Sequence, residues 1–204
     1  TFGMAEANHA NLVHAIGLGG DDRTLNFLPL FHTAGINLHT LPTLISGGTV
    51  TIFPKFDADR VIAAIGSGQV TCFFGVPAVY QSLALHPRFA SLDLGRVRSW
   101  ASGGAPLPES LLRAFLARGA RVCAGYGMTE TGPTLCLMDP GSVEVKVGSS
   151  GKAQTLSQVR IVDDLGRDVP TGMSGEVLVK GANVTPGYWN NEAATRAAFT
   201  ADGW

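Results

Sequence analysis

Thr129 and Glu130 stand side by side at the end of the run "GYGM", Gly125 to Met128. A threonine hydroxyl can hydrogen-bond a phosphate oxygen. A carboxylate beside phosphates can hold Mg²⁺, which takes one or two carboxylates plus phosphate oxygens. Tyr126 adds a ring able to stack on a base, an interaction of about 1–3 kcal/mol per base. Gly125 and Gly127 let the chain turn sharply and present these groups on one side. Taken singly, Tyr126 reads as a half-buried aromatic and Glu130 as a solvated loop charge. Gathered into "AGYGMTETGP", they point to a nucleotide.

Two more loops carry unusual residues. In "ASGGAPLP", Ala101 to Pro108, Gly103 and Gly104 leave backbone amides and carbonyls able to meet a purine edge, although a tight strand-to-helix turn accounts for the same residues. In "LPLFHTAG", Leu28 to Gly35, His32 falls just beyond a predicted strand. With no carboxylate partner in the sequence it reads as a pocket-lining residue and not as a proton carrier. There is no G-x-S-x-G elbow, complete P-loop or G-x-G-x-x-G fingerprint, and no His/Cys/Asp cluster with metal-ligand spacing. Serine hydrolases, Walker-type ATPases and Rossmann dehydrogenases are therefore poorly supported.

The elements that must position these loops alternate. "TLNFLPL", "GTVTIF", "VTCFFG", "VRSWAS" and "RVCAGY" read as strands. Between them lie an apolar segment from Thr33 to Ile45, the helix "DADRVIAAIGSG" with Asp57 as its cap, "PAVYQSLALHP" with Pro77 in its first turn, and "PESLLRAFLARG". In the last, Leu111, Leu112, Phe115 and Leu116 make one apolar stripe. This alternation predicts an α/β fold, a mostly parallel sheet flanked by helices. In such sheets ligands gather at the carboxyl ends of the strands, where all three loops fall. After Gly148 the pattern reads as an all-β region, with "QVRIVDDLGRDVP" and "GEVLVKG" around Gly-rich turns. A small distorted β-barrel is expected over 148–204, following an α/β subdomain over 1–147.

Composition narrows the class. The 204 residues are 45% hydrophobic with a net charge of −1 and scattered Lys and Arg, so no basic stripe is available for nucleic acid. The 3 cysteines lack paired spacing, and Cys72 and Cys123 lie in apolar runs, which fits a reducing, cytoplasmic setting. No apolar run is long enough to span a bilayer, and nothing at the front resembles a signal peptide. The chain starts at Thr1 without an initiator Met and stops at Trp204 in mid-pattern, so it reads as a piece of a longer protein. Homo-oligomerisation is left open.

In order, "NHANL", "LPLFHTAG", "SGGAPL", "GYGMTETGP", "GEVLVKGANVTPGYWNNEAAT" and "DGW" resemble motifs of the adenylate-forming superfamily, which includes acyl-CoA synthetases and coumarate-CoA ligase-like enzymes. The resemblance covers nearly the whole chain. It implies adenine and AMP contacts from Gly104, Ala105 and Pro106 and from Gly125, Tyr126, Gly127 and Met128. It implies Thr129 on the α-phosphate, Glu130 on Mg²⁺, and catalytic roles for both together with His32. An acyl pocket would be walled by His32, Thr33, Ala34, Gly104, Gly127, Pro133 and Thr134. Glu176 and Pro186 to Trp189 match the family as barrel architecture.

The implied reaction uses ATP, Mg²⁺, CoA and a small carboxylic acid. Uncharged loops near His32 and Thr134, the small Ala34 and the lack of an early Asp favour a medium or long aliphatic, or an aryl, acid over an amino acid. Two alternatives are transfer to a carrier-protein phosphopantetheine and a non-catalytic nucleotide or acyl-AMP binder. The family's Gly/Ser/Thr-rich phosphate loop and its Lys are expected just ahead of "HANL", and "TFGMAEAN" has neither a glycine cluster nor a Lys. The ribose-binding Asp and the C-terminal domain with its Lys are expected beyond Trp204, so the fragment alone is expected to be inactive.

Overall fold

The computed structural model describes all 204 residues. Strands β1 (Arg23–Asn26), β2 (Thr49–Ile52), β3 (Cys72–Gly75), β4 (Ser99–Ser102) and β5 (Val122–Gly127) pair in parallel in the order β2-β1-β3-β4-β5. Two antiparallel strands, β6 (Thr134–Leu137) and β7 (Lys152–Ala153), complete a seven-stranded sheet. The expected α/β fold and mostly parallel sheet are both present.

Helices α1 (Phe2–Ile16), α2 (Thr40–Ile45), α3 (Ala58–Gly66), α4 (Pro77–Ala84) and α5 (Glu109–Leu116) flank the sheet. Asp57 caps α3 by accepting from the Arg60 amide at 3.0 Å, and Pro77 opens α4. Alternate residues of a strand face opposite sides. Accordingly, Phe73 packs with Tyr80, Trp100 and Phe115 in the core beneath α3, α4 and α5, while neighbouring Phe74 meets His39 of the α2 layer. Leu111, Leu112 and Phe115 of α5 are buried in that core as their spacing predicts, and Leu116 packs at its edge.

Several expectations are corrected. The strand over Thr24 to Leu30 ends at Asn26, because the Asn26 side chain bonds both the amide and the carbonyl of Leu28 (3.1 Å each) and turns the chain. The apolar segment from Thr33 splits into a wide helical turn, Ala34–Leu38, and α2. "TFGMAEAN" forms the start of α1, capped by Thr1, and makes no phosphate loop. The large sheet runs on to Ala153, past the expected division at 147/148, because β7 pairs with β6. Beyond it, β8 (Ser157–Val162) and β9 (Glu176–Gly181) form a two-stranded antiparallel ribbon, followed by α6 (Glu192–Ala198). Two strands do not close a barrel.

At the amino edge of the parallel strands, residues just before β1, β3 and β4 are clamped together. Buried Asp22 accepts from Arg98 (2.6 Å), the Thr71 hydroxyl (2.6 Å), the Gly19 amide (2.9 Å) and the Cys72 thiol (3.4 Å). Burial alone would raise the Asp22 pKa, but these donors, led by Arg98, outweigh it and hold the carboxyl well below the usual range. A depressed carboxylate stabilises the fold above its unfolded value, and that contribution is lost as pH falls through its folded value. Asp22→Asn should therefore cost about 2 kcal/mol at pH 7, discounted because the Arg98 side chain is 45% exposed. Urea unfolding of both proteins should show that difference shrinking below about pH 4.

Candidate active site

All three loops singled out above lie at the opposite, carboxyl edge of the sheet, after β1, β4 and β5. Gly127 fixes the local geometry of the third. It faces Thr134 across the β5–β6 pairing, and a Cβ there would overlap the Pro133 carbonyl. Only glycine allows this approach. The chain consequently folds straight into a short helical turn, Thr129–Thr131.

Residues from the chain that follows β9 hold that turn in place. Thr131 is buried, bonding the Met128 backbone and the Pro133 carbonyl at 3.0 Å each. Asn183, fully buried, donates to the Thr131 carbonyl at 2.7 Å and accepts from Ser157 at 2.9 Å. The Thr185 amide donates to the Glu130 carbonyl at 2.8 Å. Tyr188 Oη donates to Glu130 Oε1 at 2.8 Å, and that bond together with the carboxylate charge raises the Tyr188 pKa above its ordinary value. The segment read as barrel architecture is thus also the support of the Thr129–Glu130 turn.

A cavity of about 570 Å³ opens beside this turn. His32, Thr33, Ala34, Gly104, Gly127, Pro133 and Thr134 all line it, as do Met128, Thr129 and Glu130. His32 is exposed, with Nδ1 accepting from the Ala34 amide at 3.1 Å, which leaves Nε2 to carry the proton in the neutral ring. A second cleft of about 330 Å³ lies against the same strand end, and Ala105 and Pro106 line it with Lys146 and Ser149. Gly104, Gly125, Tyr126 and Gly127 border both spaces. Gly104 has φ 81°, a left-handed turn that carries the loop between them.

One cavity residue was passed over in the sequence. His39 is 5% exposed and packs edge-on to Phe74, with ring centroids 6.2 Å apart. Burial lowers its pKa to about 4 against the opposing charge of Asp22, so the ring is neutral near pH 7. Among the other histidines in sequence nothing marked it out.

No group of three or more His, Cys, Asp or Glu side chains forms a standing metal site. Glu130 alone fits a cation that arrives with phosphates, since Tyr188 occupies Oε1 and no protein group donates to Oε2.

A mostly parallel sheet with backbone-walled clefts at its carboxyl edge defines an α/β protein that takes its ligand there. The chain belongs to the AMP-binding enzyme family, whose model matches residues 4–189. It is 41% identical to a feruloyl-CoA synthase of Amycolatopsis sp, covering 100% of this chain and 41% of that protein. It is also 41% identical to an indoleacetate–CoA ligase of Aromatoleum aromaticum, over 97% of this chain and 38% of that one. Among solved structures, apo MatB from Rhodopseudomonas palustris superposes with TM-score 0.91 at 31% identity, covering 100% of this chain and 40% of its own. O-succinylbenzoate coenzyme A synthetase from Bacillus subtilis, in complex with ATP and magnesium ion, gives TM-score 0.87 at 30% identity, with 100% and 42% covered. The chain thus spans about two fifths of the length of these relatives.

Glu130→Gln is expected to weaken magnesium-dependent ATP binding about tenfold while shifting stability by less than about 0.5 kcal/mol. Tyr188→Phe keeps the carboxylate but frees it, and should raise the magnesium concentration needed for half-maximal binding. Calorimetric titration of ATP at several magnesium concentrations tests both; an unchanged magnesium dependence in the two variants contradicts the assignment.

Proposed function

We propose that the protein containing this chain joins a carboxylic acid to CoA through an acyl-adenylate. The observation that carries this reading is the pair of spaces divided by one wall. The cleft beside Ala105 and Pro106 suits adenine, the cavity beneath His32 suits an acyl group, and the border of Gly104 and Gly125–Gly127 brings the two together at Thr129 and Glu130. The names of the relatives support CoA over a carrier protein as acceptor.

In the first step a carboxylate oxygen of the acid attacks the α-phosphorus of ATP, an acyl–phosphate bond forms and pyrophosphate leaves. In the second, the CoA thiolate attacks the acyl carbonyl and AMP leaves. Such chemistry needs positioning and charge neutralisation more than covalent help. Tyr126 stacks on the base, Thr129 donates to the α-phosphate, and His32 Nε2–H points a proton donor toward the incoming carboxylate. Mg²⁺ supplies charge neutralisation on the phosphates when bound, and Glu130 is the residue that would hold it. Pro133 and Thr134 close the acyl wall. In the complete protein, the β8–β9 ribbon would be part of the small barrel that steadies this turn. The three free thiols, Cys72, Cys123 and Cys136, suit a cytoplasmic setting.

Pyrophosphate release from ATP, measured on the complete protein with aliphatic, aryl and amino acids, tests the proposal. We expect release that depends on an aliphatic or aryl acid, with thioester formed only on adding CoA. Turnover confined to amino acids, or no acid-dependent release at all, would overturn it.

A further inference from the structure

Helix α1 carries two fully buried asparagines, Asn8 and Asn11. With Met4 they are spaced four and three residues apart, so the three form one stripe along the helix. Asparagine lowers helix propensity, and its amide is costly to bury unless it is bonded. Two of them on one inner face do something that aliphatic side chains would not.

Each member of the stripe meets a different part of the site. Asn8 Nδ2 donates to the Asn37 carbonyl at 2.6 Å, and Asn37 Nδ2 in turn donates to Thr33 Oγ1 at 3.2 Å. Thr33 adjoins His32 and lines the same cavity. Asn11 Oδ1 accepts from the Leu156 amide at 2.8 Å, and the next residue, Ser157, donates to Asn183, which holds the Thr131 carbonyl. Met4 packs on Gly132, the residue that ends the Thr129–Thr131 turn, where a Cβ would stand 3.6 Å from the Met4 carbonyl. One helix thus ties the His32 loop and the Thr129–Glu130 turn to each other by contacts that bypass the sheet.

We propose that Asn8 and Asn11 are positioning residues for acyl-adenylate formation, setting the separation between an acid held by the His32 loop and an α-phosphate held at Thr129. The inference rests on the reading of these two loops as the acyl and phosphate sites. In the first step no bond joins the two substrates, so the protein alone brings the carboxylate oxygen to the α-phosphorus. A misplacement of about 1 Å there costs on the order of a hundredfold in rate. In the second step the acid and AMP are already one molecule. Their covalent bond then does what α1 did, and the CoA thiolate needs only to reach the carbonyl. Cutting the ties therefore slows the first step and spares the second. A merely structural role gives no such split, because unfolding removes both steps together.

The test measures the two half-reactions separately on the complete protein, for wild type and for Asn8→Ala, Asn11→Ala and Asn37→Ala. The acid is whichever of octanoate, palmitate, benzoate and cinnamate wild type adenylates fastest, and the second half-reaction starts from its synthetic acyl-adenylate with CoA. Rates are expressed per ATP site counted by calorimetric titration, so unfolded protein does not contribute. Pyrophosphate release should fall about tenfold or more in Asn8→Ala and Asn11→Ala. Asn37→Ala cuts the same line outside α1, which keeps the test open if the buried variants do not fold, and should slow release about threefold or more. Thioester formation from the supplied adenylate should stay within about twofold of wild type in all three. Unchanged pyrophosphate release, or equal slowing of both half-reactions, overturns the proposal while a working wild type leaves the adenylation reading standing. If wild type releases pyrophosphate with none of the four acids, the adenylation reading falls and this proposal with it.

Discussion

The site depends on one close approach, the backbone of Gly127 against Pro133. With no side chain at Gly127, β5 passes directly into the Thr129–Thr131 turn and returns as β6, turning the fifth parallel strand's carboxyl end into a wall with a space on each side. The two spaces can share that wall only because it is thin, which glycines at 104, 125 and 127 ensure. The turn itself is too short to hold its shape unaided, and Asn183, Thr185 and Tyr188 reach it from the chain after β9. The shape of a turn beside one sheet is thereby fixed by hydrogen bonds from the chain that follows the other.

The two edges of the parallel sheet do different work. At the amino edge, Asp22, Thr71, Cys72 and Arg98 make a satisfied polar cluster that ties successive strands together. At the carboxyl edge, buried polar atoms of His39, Ser102 and Thr134 lack partners.

The loops were legible in the sequence because each combines residue types with a chemical reason to be together, and the strand–helix alternation put them on one edge. The helices with apolar stripes or clear caps, such as α3 and α5, were legible for the same local reasons. Helix α1 was not, because its buried face includes Asn8 and Asn11, which bond the Asn37 carbonyl and the Leu156 amide instead of filling an apolar core. Tyr188 and Asn183 act on residues 58 and 52 positions away, and no local pattern encodes such contacts. After Gly148 the runs that became β8 and β9 were read as strands, but the all-β reading missed α6, a short helix with an Asn191 cap and no buried apolar stripe, and strand content alone does not say whether a ribbon closes.

The central claim is that β5's end separates an adenine cleft from an acyl cavity. It is tested most directly by a crystal structure of the complete protein with a non-hydrolysable acyl-adenylate analogue. The account predicts the adenine against Tyr126 and the Gly104–Pro106 loop, the phosphate at Thr129 and the acyl group in the cavity beneath His32. A nucleotide bound elsewhere, or an acyl group lying outside that cavity, would contradict it.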